Sequence, residues 1–120
     1  MNTNRKIRVG RRGEDLAVTF LTERGVKILG RNIRSRYGEI DIVGILEEQL
    51  VFFEVRTRTS ATLGYPEDSI NTRKREHMAA AAEAYIQANP ALKNEWRIDV
   101  LAVELNPKTP PRIEWFENAV

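Results

Sequence analysis

The chain has no cysteine and a single histidine, His77. Without thiols there can be no disulfide framework, thiolate zinc site, iron–sulfur cluster or cysteine nucleophile. One imidazole supports neither a histidine metal cluster nor a Ser–His triad of the usual kind, so His77 reads as a helix-surface residue. No stretch approaches the ~18 consecutive apolar residues of a membrane span. The first twelve residues carry Arg5, Lys6, Arg8, Arg11 and Arg12 but lack the apolar segment of a secretory signal. A cytoplasmic protein without a membrane partner is the expectation. Nor does any repeat, low-complexity tract or linker divide the 120 residues. Residues 10–120 therefore read as one domain behind a basic, flexible arm at residues 1–9. A chain of this size buries roughly two thirds of its unfolded surface, so any metal would serve chemistry rather than folding.

What the chain does have is unevenly distributed charge. Residues 1–36 hold ten Lys or Arg against three acids, a net of +7, whereas residues 37–120 hold nine against fourteen, a net of −5. A cationic block of this kind attracts phosphates, because each Lys or Arg laid on a nucleic-acid backbone releases condensed counterions. A solvated basic arm would look the same by charge alone. The acidic remainder is informative because a protein that only coated nucleic acid would gain nothing from concentrated carboxylates.

Hydrophobic periodicity places the elements. Leu16, Ala17, Phe20 and Leu21 recur at helical spacing between Arg12 and Arg24, with Gly25 as the stop. Val26–Leu29 reads as a short strand, followed by a basic stretch, Arg31–Arg36, and a turn at Tyr37-Gly38. Two strands follow around Ile40–Leu46 and Val51–Val55, with Glu47-Glu48-Gln49 between them. A polar loop, Thr57–Pro66, leads to a helix from Asn71 or Thr72 to about Ala88, stopped by Asn89-Pro90. A strand at Trp96–Leu105, a proline-rich turn at Asn106–Pro111 and a last strand at Ile113–Phe116 complete the order α-β-β-β-α-β-β. This pattern predicts an α/β fold with a helix on each face of the sheet.

The hairpin concentrates the chemistry. If Glu47 and Glu48 form its tip, paired residue numbers sum to 95, and Ile40, Ile42 and Gly44 share an apolar face with Val55, Phe53 and Val51. The opposite face then carries Glu39, Asp41, Glu54 and Arg56 at the open end of the hairpin. A one-residue slip would mix charge into both faces, so burial selects this parity. Carboxylates gathered in one patch repel unless a proton or cation is shared. A site of this kind suits Mg²⁺ or Mn²⁺, which keep open water positions and bridge to substrate phosphate. Arg56 could orient that phosphate. An exposed strand face with ordinary ion pairs to Arg56 or Arg58 is the alternative.

The motifs Gly10-x-x-Gly13-Glu14-x-x-Ala17, Ile28-Leu29-x-Arg31-Asn32-x-Arg34, Gly38-Glu39-Ile40-Asp41, Val51-Phe52-Phe53-Glu54-Val55-Arg56-x-Arg58, Lys74 and Arg97-Ile98-Asp99-Val100 follow one another over residues 10–117. In that succession the chain resembles the YraN family of predicted endonucleases, within the restriction-endonuclease-like, PD-(D/E)xK, superfamily. The resemblance implies a mixed sheet flanked by helices, similar in core to archaeal Holliday-junction resolvases, and Mg²⁺ or Mn²⁺ as cofactor. It implies that Asp41 and Glu54 bind metal, that the Val55 carbonyl adds a ligand, and that Arg56 stands at the superfamily's basic position. Glu14 would be an additional acidic residue of the site. Lys74 would contact DNA. The superfamily's basic residue is usually Lys. Arg56 keeps the charge but does not lose a proton, which suits phosphate binding better than activating water.

Three functions follow as expectations. The first is a metal-dependent endonuclease acting on DNA, branched DNA included, with Asp41, Glu54, Arg56 and Glu14 in the site and Arg11, Arg12, Arg34, Arg58 and Lys74 on the nucleic acid. RNA stays open as a substrate, and related resolvases imply a homodimer. The second is a nucleic-acid-binding module that has lost catalysis, and the third a protein-interaction adaptor. Among the remaining residues, Gly10 and Gly13 form no phosphate loop, because no strand precedes them and no Gly-Lys-Ser/Thr follows. The cluster Arg73-Lys74-Arg75, in the first turns of a helix, hints at an external anion. Trp96, Trp115 and Phe116 read as core or dimer surface, and Asp99 as facing solvent or an arginine.

Overall fold

The computed structural model describes residues 3–59, 71–92 and 95–119. Its elements are α1 (Thr3–Glu23), β1 (Lys27–Ser35), β2 (Gly38–Leu46), β3 (Gln49–Arg58), α2 (Thr72–Ala88), β4 (Trp96–Asn106) and β5 (Thr109–Phe116). The expected order is borne out. Five strands form one sheet in chain order. β3 and β4 run parallel, joined through α2, and every other neighbouring pair is antiparallel. α1 covers one face, packing Ala17 and Leu21 on Ile42, Val51, Phe53 and Leu101. α2 covers the other, with Met78, Ala81 and Ala82 on Val43, Phe52 and Ile98. Covered on both sides, β3 is buried without alternation from Leu50 to Glu54. The tryptophans belong to this core: Trp115 meets Phe20 and Phe53 edge-on, and Trp96 meets Phe52.

Three boundaries differ from the periodicity reading. α1 begins at Thr3 rather than near Arg12, so the described part of the basic arm is helical. Arg and Lys are good helix formers, and an exposed face needs no apolar repeat to announce it. β1 extends through the basic stretch to Ser35. It is an edge strand, where charged side chains are tolerated and guard against edge-to-edge pairing. β5 likewise starts at Thr109 and includes Pro110 and Pro111, which an edge strand accommodates. The polar loop read at Thr57–Pro66 lies outside the described residues from position 60 onward.

The β2–β3 register is the one burial selects: Ile42↔Phe53, Val43↔Phe52, Gly44↔Val51, Ile45↔Leu50 and Leu46↔Gln49. Glu47 and Glu48 form the two-residue turn at φ 48° and 71°, the left-handed conformations of a type I′ turn. Glutamate is a poor residue there, so the apolar faces of both strands dictate the turn. One assignment is corrected. Ile40 does not share the α1 face with Ile42 but packs on the α2 side with Val43 and Phe52. Asn32, at φ 51°, lies between the pairs Arg31↔Ile42 and Ile33↔Ile40, and a left-handed residue resets the alternation at that point.

α1 comes very close to β3 at Gly13. A Cβ there would lie 2.8 Å from Thr57 Cγ2 and 2.9 Å from Thr57 Cβ, and no rotamer of a β-branched residue moves its own Cβ away. Gly10, one turn earlier, would meet nothing within 4 Å. The same substitution should therefore have opposite signs at the two positions. Gly10→Ala is expected to stabilise the fold by about 0.5–1 kcal/mol through helix propensity. Gly13→Ala should destabilise it by about 2 kcal/mol by pushing α1 off the sheet. Urea unfolding of the two variants side by side checks this, and equal shifts would refute the close-contact account.

Candidate active site at a strand fork

The β2–β3 ladder stops at Ile42↔Phe53. Beyond it β2 continues on β1, through Ile33↔Ile40 and Arg34↔Glu39, while β3 continues on β4, through Glu54↔Val100 to Arg58↔Glu104. Strands that separate leave ladder groups unpaired, and such groups need other partners. Asp41 fills that role: its Oδ2 accepts the Val55 N–H at 2.8 Å. The bond fixes the aspartate across the fork, beside the carboxylate of Glu54.

Glu54 is 7% exposed and its Oε1 meets two cations, Lys74 Nζ at 3.0 Å and Arg56 Nε at 3.5 Å. The second approach is within ion-pair range but makes no hydrogen bond, so Arg56 Nε is buried with its N–H unspent. Burial, followed by the neighbouring Glu54 charge, pushes the Asp41 carboxyl up to about 7. The Val55 N–H opposes that rise, and Glu14 adds to it. Asp41 therefore holds its proton toward neutral pH, kept there by burial and by the neighbouring carboxylate.

Asp41, Glu54, Val55 and Arg56 come together at the fork. Glu14, on α1, is near enough to act on Asp41 but is held by Arg31, whose Nη2 and Nε lie 3.2 and 3.4 Å from its Oε1. Arg31 also binds Asp15 at 2.6 Å. That contact, then Glu14, raises its pKa against the opposing effect of burial. Glu39 pairs with Arg34 at 3.3 Å near the surface. Among the described residues no group of three or more His, Asp or Glu side chains converges on one point.

The basic residues divide. Arg11 and Arg12 are exposed on α1, and Arg11 and Arg34 line one cavity of about 430 Å³ together with Glu14 and Arg31. Arg58 is half-buried near the end of β3. Lys74 belongs to the acidic site itself. Sequence reasoning placed it on DNA and missed its contact with Glu54, since nothing in a spacing of twenty residues tells which strand a helix residue will face. The only local signal was Asn71, whose Oδ1 accepts the Lys74 N–H at 2.8 Å and starts the helix there.

The donor set fits a hard divalent cation. Mg²⁺ is commonly held by one or two carboxylates, with water and substrate phosphate completing its shell. Asp41 and Glu54 supply that number, and the proton that Asp41 retains near neutrality marks a place where a cation relieves repulsion. Among the described residues no helix is long and apolar enough to cross a membrane.

Residues 13–103 match the family model described as "Uncharacterised protein family UPF0102". The chain is 42% identical over 109 residues to a UPF0102 protein of Chlorobium phaeobacteroides, covering 91% of this chain and 86% of that one. It is 42% identical over 120 residues to a UPF0102 protein of Dehalococcoides mccartyi, covering 100% and 98% of the two chains. A third, from Anaeromyxobacter dehalogenans, is 43% identical over 111 residues, covering 92% and 82%.

Proposed function

Since the chain belongs to the UPF0102 (YraN) family, whose name assigns no activity, we propose from its own site that it is a metal-dependent endonuclease hydrolysing phosphodiester bonds in DNA. One observation carries the reading: two adjoining carboxylates, Asp41 and Glu54, with Arg56 and Lys74 beside them at the mouth of a strand fork. A structural ion pair needs one acid and one base. A phosphodiester site needs both signs, acids to hold a cation and bases to hold the substrate.

Mg²⁺ or Mn²⁺, held by Asp41 and Glu54 with the Val55 carbonyl as a further ligand, would supply charge neutralisation at phosphorus and a more acidic bound water. The protein's part is positional. Val55 N–H orients Asp41, and Glu14 adds negative charge from α1 while fixing Arg31. The Arg56 side chain is partly exposed, and its guanidinium would meet a non-bridging phosphate oxygen and stabilise the developing charge there. Lys74 pairs with Glu54 at 3.0 Å and, beside a metal-holding carboxylate, would bind substrate phosphate. The exposed Arg11 and Arg12 of α1, with Arg34 on the edge strand β1, would bind the backbone beyond the cut.

The test is incubation of labelled branched, linear and single-stranded DNA, and of RNA, with Mg²⁺ or Mn²⁺ and with EDTA. Metal-dependent cuts in DNA are expected. Binding of DNA without cleavage in either metal would favour a binding module on the same fold. That outcome has a specific antecedent in Arg56, which cannot accept a proton from water.

A further inference from the structure

A second cavity, of about 360 Å³, opens between the β1–β2 turn and the first turns of α2. Tyr37 and Glu39 line it from the turn side, and Arg73, Lys74, His77 and Met78 from the helix. Its lining is chemically graded. Met78, buried at 5% exposure, gives an apolar floor. Tyr37 is 36% exposed, and only Ile7 joins it as an exposed large apolar side chain among the described residues. Tyr37 is nonetheless fixed in position: the Arg36 guanidinium lies 5.0 Å from the ring centroid and donates to the Tyr37 hydroxyl at 2.8 Å. The β1–β2 turn is itself pinned, because Ser35 Oγ accepts the Tyr37 N–H and donates to the Gly38 carbonyl.

An aromatic ring, an apolar floor, an acidic acceptor and two cations describe the requirements of one nucleotide: a flat base with a polar edge, carried on a phosphate. Lys74 ties this cavity to the fork, since the ammonium that lines it also touches Glu54 at 3.0 Å. An occupant would sit one side chain from the acidic pair. A cavity of this size does not admit a duplex, only a base that is out of the stack. Extruding a paired base costs free energy, whereas a base already unpaired costs least.

We propose that the Tyr37–Met78 cavity holds a single unpaired nucleotide of a DNA strand next to the phosphate at the fork, so that the protein selects DNA with an unpaired nucleotide over continuous duplex. For its cleavage consequence this rests on the nuclease reading above; for binding it does not. A single base–aromatic stack corresponds to a preference of about tenfold or more.

The experiment uses the full chain with two DNAs of equal length, one continuous duplex and one with a single unpaired 2-aminopurine. Affinity is measured by anisotropy in Ca²⁺, stacking by 2-aminopurine fluorescence, and cleavage is then started with Mg²⁺. Wild type is expected to bind the unpaired substrate at least about tenfold more tightly and to quench its fluorescence. In Tyr37→Ala the affinity ratio should fall to about one and the quench should vanish, with circular dichroism confirming the fold. A quench that persists in Tyr37→Ala, or a wild-type ratio of one, overturns the proposal even if both DNAs are cut. Quench and preference without cleavage would keep the pocket and remove the nuclease reading. Equal quenching of the free 2-aminopurine nucleotide at the same concentration would assign the cavity to a mononucleotide and overturn the DNA assignment.

Discussion

Asp41→Asn should reduce metal-dependent cleavage to below about a thousandth of wild type while making the metal-free protein more stable above pH 7. The first effect follows from removing one of two anionic ligands, where several kcal/mol of charge stabilisation are at stake and each 1.36 kcal/mol is tenfold in rate. The second follows from linkage. Burial and Glu54 raise the Asp41 carboxyl to about 7 in the folded protein, against about 3.9 in an unfolded chain. A raised acid favours the fold below its unfolded value, and that contribution is lost as pH climbs through the folded value. Between about pH 4 and pH 7 the wild type thus loses stability that Asn, uncharged throughout, retains. Discounted for partial exposure and relaxation, the gap at pH 8 is about 2 kcal/mol.

Asparagine also keeps an oxygen for the Val55 N–H and offers an amide to Glu54, so the fork stays closed. Thermal unfolding of both proteins at pH 5 and pH 8 should show curves that coincide at the acid end and separate at the alkaline end. Added Mn²⁺ should raise the wild-type midpoint only, by mass action on the folded state. Metal binding should release a proton below pH 7, measurable as a buffer-dependent heat in calorimetry. A variant less stable than wild type at pH 8 would contradict the paired-acid account, whatever happened to cleavage.

Asp99→Ala should cost about 3–5 kcal/mol, a large share of the 5–15 kcal/mol that holds an ordinary domain together. Asp99 is fully buried, and its two oxygens accept Arg97 Nε at 3.0 and 3.2 Å, Trp115 Nε1 at 2.8 Å and the Asn118 N–H at 2.7 Å. Arg97 in turn donates to Gln49 Oε1 at 2.9 Å. One carboxylate therefore links β3, β4, β5 and the segment after β5. Its removal strands an indole and a backbone donor and leaves the Arg97 guanidinium with only the longer, more exposed contact to Glu117 at 3.7 Å, a much larger loss than that of a surface ion pair such as Arg112–Glu104, 4.0 Å apart. Urea denaturation followed by tryptophan fluorescence checks it. A midpoint within about 1 kcal/mol of wild type would show that water replaces the carboxylate freely.

Asp99 also marks where reading the chain fell short. Its alternation with Ile98 and Val100 left solvent and arginine as equal alternatives; the arginine is present and the solvent is not. Alternation separates two faces of a strand but does not say that both will be covered. In this protein they are, by α1 on one side and α2 on the other. The same limit explains Ile40: parity assumes an unbroken strand, and the left-handed Asn32 on the neighbouring strand breaks it. The start of α1 and the full length of β1 were hidden for a different reason, since basic residues on an exposed helix face or a sheet edge leave no apolar period to count.

Local pattern alone determined the element order and the register of the β2–β3 hairpin, because a one-residue slip would carry charge into its apolar faces. It also determined the site of α2, where Asn71 caps the helix that Asn89 closes. Only the tertiary structure decided that β2 and β3 part after Ile42 and Phe53 and that Asp41 takes the Val55 N–H in the gap. It likewise decided that Lys74 crosses from α2 to Glu54 and that Glu14 is restrained by Arg31. These are contacts between elements distant in the chain. They depend on how closely helices settle on the sheet, which is set by packing at points such as Gly13 and Thr57 rather than by any spacing along the sequence.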